Sequence, residues 1–106
     1  MMDERRYFEL ADAVFREIED RFNDVDADDV DVERAGDVIT LTFRDGRKCI
    51  INTQRPTRQI WLAANARAWH FDFDETTSRW VDDKGQGVEL VTQVAEIVRE
   101  SAGIAV

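Results

Sequence analysis

"ITLTFRDGRKCII", residues 39–51, changes side at every step: Ile39, Leu41 and Phe43 alternate with Thr40 and Thr42, then Asp45-Gly46 interrupts before a second apolar run. Alternation with a period of two is the signature of a half-buried strand, and Asp-Gly between two such runs marks a hairpin. Strands are therefore expected at about 38–43 and 47–53. The same period reaches back to Val30 and Val32, which alternate with Asp31 and Glu33, predicting a strand at about 30–34. Forward of the hairpin, Pro56 lacks an N–H donor and marks a loop before "QIWLA", and "AWHFDF" and "RWVDD" add further alternating runs. Six strands result. Connections this short leave no room for crossover helices, so the strands form an antiparallel meander.

The two ends of the chain follow a different period. From Asp3 to about Asn23, Tyr7, Ala11, Val14, Ile18 and Phe22 recur every three or four positions, with Leu10 and Phe15 widening the stripe. After "KGQG", Leu90, Val91, Val94, Ile97 and Val98 do the same over about Val88 to Glu100. Both are amphipathic helices. Two such helices and one half-polar sheet bury their apolar sides together when both helices lie on one face of the sheet. The predicted fold class is α+β, a two-layer sandwich in the order α-β-β-β-β-β-β-α, as one domain over residues 1–106.

The opposite sheet face is then open, and alternation says what stands on it. With Ile60 and Leu62 inward, Gln59 and Trp61 face outward; with Trp69, Phe71 and Phe73 inward, His70 and Asp72 face outward. Thr40, Lys48 and Asn52 are expected on the same face. An outward Trp among amide and imidazole groups fits the centre of a protein–protein contact, where Trp is enriched among the residues that carry binding energy. Trp69 and Trp80 are assigned to the core, and Cys49 to a packing role in a central strand.

The net charge of −9 is uneven: residues 1–35 hold thirteen acids and five bases, whereas 36–106 hold ten acids and nine bases. "DVDADDVDVE", residues 24–33, places six carboxylates in ten positions and continues the acidic side of the first helix, with little compensating base nearby. Such a ridge repels itself, and a cation or a basic partner would relieve it. Carboxylates are hard ligands suited to calcium, magnesium, manganese or oxygen-bound iron; one His and one Cys do not select zinc or copper. A calcium helix–loop–helix site fails, because Asp29 stands where the turn glycine belongs and Ala35 where the bidentate Glu belongs. Weak, open surface sites are expected instead. The acidic balance disfavours nucleic-acid binding. No apolar run approaches the roughly 18 residues of a membrane span, and "MMDERRYFE" lacks a signal-peptide core, so a cytoplasmic location is expected. No nucleophile triad, phosphate loop or cysteine pair is present to indicate an enzyme.

"IINTQRPTRQIWLA" (50–63), "HFDF" (70–73) and "RWVDDKGQG" (79–87), preceded by an acidic helix and an acidic first strand, resemble the bacterial frataxin family, the CyaY-type proteins. The resemblance runs from the first helix to about Arg99, and Asn52, Gln54, Pro56, Gln59, Trp61 and Leu62 carry its spaced pattern. It implies a non-enzymatic iron-binding regulator or iron donor in iron–sulfur cluster assembly. Ferrous or ferric iron would sit on Glu19, Asp20, Asp24, Asp26, Asp28, Asp29, Asp31 and Glu33. The implied partners are the cysteine desulfurase and the iron–sulfur scaffold protein, contacted by the ridge and by Asn52, Gln54, Gln59, Trp61 and His70. A monomer is expected, with metal-dependent oligomers open to it. The chain departs from the family at Phe8 and Asn23, where related bacterial sequences often carry His and Asp. Two other readings stay open: an acidic interaction module indifferent to metal, and an acidic mimic of nucleic acid.

Overall fold

Asp3 starts the first helix by accepting a hydrogen bond from the Arg6 N–H at 2.8 Å, which satisfies one of the orphan donors of the first turn. The helix, α1, runs Glu4–Asp20 in the computed structural model, which describes residues 2–106. It ends before Asn23 because the N–H groups of Arg21, Phe22 and Asn23 bond three residues back, tightening the last turn. Phe22 stays buried through that turn, so the apolar stripe outlasts the helix. The second helix, α2 (Leu90–Ala102), begins later than about Val88, because Glu89 caps it by accepting from Val91 and Thr92 N–H. Gly103, at φ +68°, takes the left-handed position that closes it.

Between them lie β1 (Val30–Ala35), β2 (Val38–Phe43), β3 (Lys48–Gln54), β4 (Gln59–Ala64), β5 (Arg67–Asp74) and β6 (Arg79–Asp82). Each pairs antiparallel with the next, giving the sheet order β1-β2-β3-β4-β5-β6. The β2–β3 hairpin is one residue wider than a two-residue turn. Gly46 donates to the Phe43 carbonyl at 2.9 Å and Phe43 N–H to Arg47, so residues 44–46 form the loop, with Gly46 at φ +90°.

The register aligns the apolar face: Ile39 lies opposite Ile51, Ile51 opposite Leu62 and Leu62 opposite Trp69. On it pack Tyr7, Phe15 and Ile18 of α1 with Leu90, Val94 and Ile97 of α2. Cys49 is fully buried and its thiol is pushed up to about 12 by that burial, so it is a packing residue. Trp80 is core as expected, but Trp69 is only half-buried, because β6 stops short of it and covers β5 only from Phe71 onward.

Tyr7 ties the layers together near the site. Its hydroxyl donates to the Gln59 carbonyl at 2.6 Å and accepts from Gln54 N–H at 3.1 Å, fixing α1 to both ends of the β3–β4 connection. Tyr7→Phe leaves those two backbone groups without a partner beside a fully buried ring, so a loss of about 1–3 kcal/mol is expected in urea unfolding. A loss under about 0.5 kcal/mol would mean that water reaches these groups.

Candidate functional site

The open face is organised by one row of the register. Asn52 lies opposite Trp61, and Trp61 opposite His70. The Trp61 and His70 rings stack with centroids 4.2 Å apart and planes 15° from parallel. Aromatic stacking at this distance fixes both rings before any partner arrives. Trp61 Nε1 donates to Gln59 Oε1 at 3.0 Å, which sets the indole's rotation.

Gln59 does face outward, but it is only 9 % exposed and its amide is fully engaged. Nε2 donates to Asp72 Oδ1 at 3.1 Å and Asp83 Oδ2 at 3.0 Å while Oε1 holds Trp61. In the fold its side chain positions Trp61 and has no amide donor left over. Asn52 and Gln54 are half-buried beside it, the Asn52 amide donating to the Thr53 carbonyl. Asp83 also stands 3.7 Å from His70 Nδ1. The sequence reading missed Asp83, because it enters from the far end of β6 and no short-range pattern pairs it with residue 59.

The acidic ridge divides in two. Glu19 and Asp12 face the underside of β1, where Arg34 reaches them at 3.0 and 2.6 Å and lies over the Phe15 ring at 5.2 Å. The Arg34 guanidinium holds the Asp12 carboxyl below its ordinary range. Asp31 and Glu33 alternate with Val30 and Val32 and stand on the other side, opposite Thr42 and Thr40 on the open face. The turn between carries Asp26, whose Oδ1 accepts from Asp28 N–H at 2.8 Å, and Asp29, which pairs with Arg44 at 2.6 Å. The expectation of little compensating base is therefore corrected: Arg34 and Arg44 neutralise part of the ridge. Among the described residues no three His, Cys, Asp or Glu side chains converge on a common metal position. Asp20, Asp24, Asp28, Asp31 and Glu33 make no ion pair among the described residues, so a cation there meets single carboxylates and retained water.

Asp82 builds the loop beside this face. Burial alone would raise its carboxyl, but backbone N–H donors from Gln86, Val88, Lys84 and Gly87 outweigh burial and hold it below its ordinary range. Stability from this group is present above the unfolded value of roughly 3.9 and lost as pH falls through the lower folded value. Asp82→Asn is expected to lower the melting temperature at pH 7 by several degrees. It should also flatten the wild-type fall in stability below about pH 4. An unchanged acid limb in melts from pH 2.5 to 7 would contradict this.

The molecule is a small α+β sandwich with a stacked polar–aromatic sheet face and a separate acidic rim. A frataxin-like domain model matches residues 1–104, and the chain belongs to the frataxin-like family. The iron–sulfur cluster assembly protein CyaY of Pseudomonas aeruginosa is 42 % identical over 85 residues, spanning 80 % of this chain and 78 % of that one. Frataxin from Psychromonas ingrahamii superposes with a TM-score of 0.89 at 30 % identity, covering 99 % of this chain and 96 % of its own. Trimeric frataxin from Saccharomyces cerevisiae complexed with ferrous iron superposes with a TM-score of 0.69 at 26 % identity, covering 98 % and 89 %.

Proposed function

We propose that this chain serves iron–sulfur cluster assembly as a non-enzymatic cytoplasmic regulator or iron donor, docking on the cysteine desulfurase and its scaffold protein. Membership of the family and the name of its 42 % identical relative support the pathway. The observation that carries the mode of action is the pre-stacked Trp61–His70 pair held by Gln59, flanked at the sheet edge by the acidic rim. The rim steers encounter with a basic partner surface and the sheet face supplies the shape-specific contact. Iron is cargo here, carried on Glu19, Asp20, Asp24, Asp26, Asp28, Asp29, Asp31 and Glu33 through exposed oxygens. The yeast relative complexed with ferrous iron supports iron as the cargo. Iron bound to the rim cancels charge that docking uses, so one surface both senses iron and meets the partner.

A second reading has its own support. Among the described residues no three metal-ligating side chains converge, and Arg34 and Arg44 already offset part of the ridge, as in an interaction module indifferent to metal. Desulfurase affinity measured over a range of salt and Fe(II) concentrations separates the two. The iron-linked reading expects affinity to fall with salt and to change with Fe(II). Affinity that falls with salt but ignores Fe(II) selects the interaction module, and indifference to both overturns the electrostatic mechanism.

A further inference from the structure

A cleft of about 260 Å³ opens beside the Trp61–His70 pair, and its origin is local. β6 pairs with β5 only across Phe71–Asp74, leaving Arg67–Trp69 without a strand on that side. The chain turns away there because Asp82 gathers the N–H groups of Lys84, Gln86 and Val88 onto its two oxygens at 3.2, 3.1 and 2.8 Å. Arg67, Trp69, His70, Lys84 and Gln86 line the resulting space.

The charges in this cleft are unevenly committed. Asp82 is occupied by those backbone donors, and Asp83 Oδ2 accepts from Gln59 and lies near His70 Nδ1. Elsewhere, arginines 5, 6, 16, 21, 34, 44, 47, 55, 79 and 99 all lie within 4.0 Å of a carboxylate. Arg58 has no such pair but donates to the Arg55 carbonyl. Among the described residues Arg67 is left as the arginine with neither kind of acceptor. Its guanidinium carbon stands over Trp69, 4.6 Å from the ring centroid, and it is exposed, as is Lys84. Asp82 and Asp83 line the same cleft, yet neither lies within ion-pair distance of Arg67 or Lys84, so both cations keep their donors available to a ligand. Cation–π contact holds Arg67 in place while leaving its edge donors free, which is the arrangement suited to a carboxylate.

We infer that this cleft is a second docking pocket, which receives an Asp or Glu side chain from the protein segment that covers Trp61. Arg67 and Trp69 lie opposite Ala64 and Leu62 on the helix-side face, and His70 lies opposite Trp61 on the open face, so the cleft wraps the uncovered edge of β5 and a partner segment covering Trp61 enters it round that edge. The inference rests on the docking role proposed above. It makes the contact electrostatically two-sided: the rim offers carboxylates to a basic partner surface, and the cleft accepts a carboxylate from the partner. Reversed charges at opposite edges of the sheet fix the orientation of the footprint.

The test is binding of the cysteine desulfurase–scaffold complex to the full chain and its variants, with thermal melts confirming that each variant is folded. R67E/K84E is expected to weaken binding about tenfold or more, and R67Q/K84Q by a smaller factor. The control R5E/R99E makes the same charge change away from the cleft and is expected to leave affinity within about threefold. If R67E/K84E binds like that control while Trp61→Ala loses binding, the pocket is overturned and the docking role stands. If inorganic phosphate perturbs the Arg67 and Lys84 signals but R67E/K84E leaves partner affinity unchanged, the cleft is a small-anion site and the inference also fails. A wild-type chain that does not bind the complex overturns both.

Discussion

Trp61→Ala is expected to weaken binding to the cysteine desulfurase–scaffold complex by at least about 30-fold, the effect of losing a binding hot spot worth 2 kcal/mol or more. The indole stands in the middle of a sheet row, with Asn52 on one side and His70 on the other. It is held by the His70 stack and by the hydrogen bond to Gln59, so little side-chain entropy remains to be lost on docking. Because the ring lies on the open face outside the buried core, the variant is expected to melt within a few degrees of wild type. Titration calorimetry gives the affinity directly. A folded Trp61→Ala chain with wild-type affinity would show that the sheet face is not the contact.

Replacing Asp26, Asp28, Asp29 and Asp31 together by Asn is expected to lower partner affinity by about tenfold or more at low salt, with the difference shrinking above about 0.3 M. Asn keeps the oxygen that Asp26 uses to accept from Asp28 N–H, so the turn survives the change. Only the Asp29–Arg44 ion pair is lost, an exposed contact whose removal is offset by relief of repulsion along the ridge. The stability of the variant should therefore equal or exceed that of wild type, while the on-rate falls more than the off-rate rises. Surface-binding kinetics at several ionic strengths read both rates. A loss of affinity that is independent of salt would point to a specific contact in place of long-range attraction.

How much of this was legible in the sequence depends on distance along the chain. The alternation of Ile39, Leu41 and Phe43 against Thr40 and Thr42 is a property of neighbouring residues, and the strand it predicts is the strand observed. Trp61 and His70 were placed on one face by the same rule, but their stacking depends on the register that sets residue 61 opposite residue 70. The partners that change the chemistry of the site come from further away. Asp83 reaches Gln59 across 24 positions, and Arg34 reaches Asp12 across 22. Counting nearby bases therefore overstated the ridge's unrelieved charge, and alternation left Gln59 looking free. The signal for the loop was present in "VDDKGQG", where an Asp precedes two glycines, yet which backbone donors Asp82 would gather is decided by the folded turn.

Iron carriage by the rim is the part of the functional reading that a single titration addresses most directly. Anaerobic Fe(II) added to the isotope-labelled chain, followed by backbone amide NMR and repeated with Mg(II) and Ca(II), reports which carboxylates meet the metal. The predicted result is selective perturbation within residues 19–33 at Fe(II) concentrations where Mg(II) is silent, strongest at the unpaired Asp20, Asp24, Asp28, Asp31 and Glu33. Weak, equal perturbation by all three cations, or perturbation outside that stretch, would contradict iron carriage and leave the ridge as a docking surface alone.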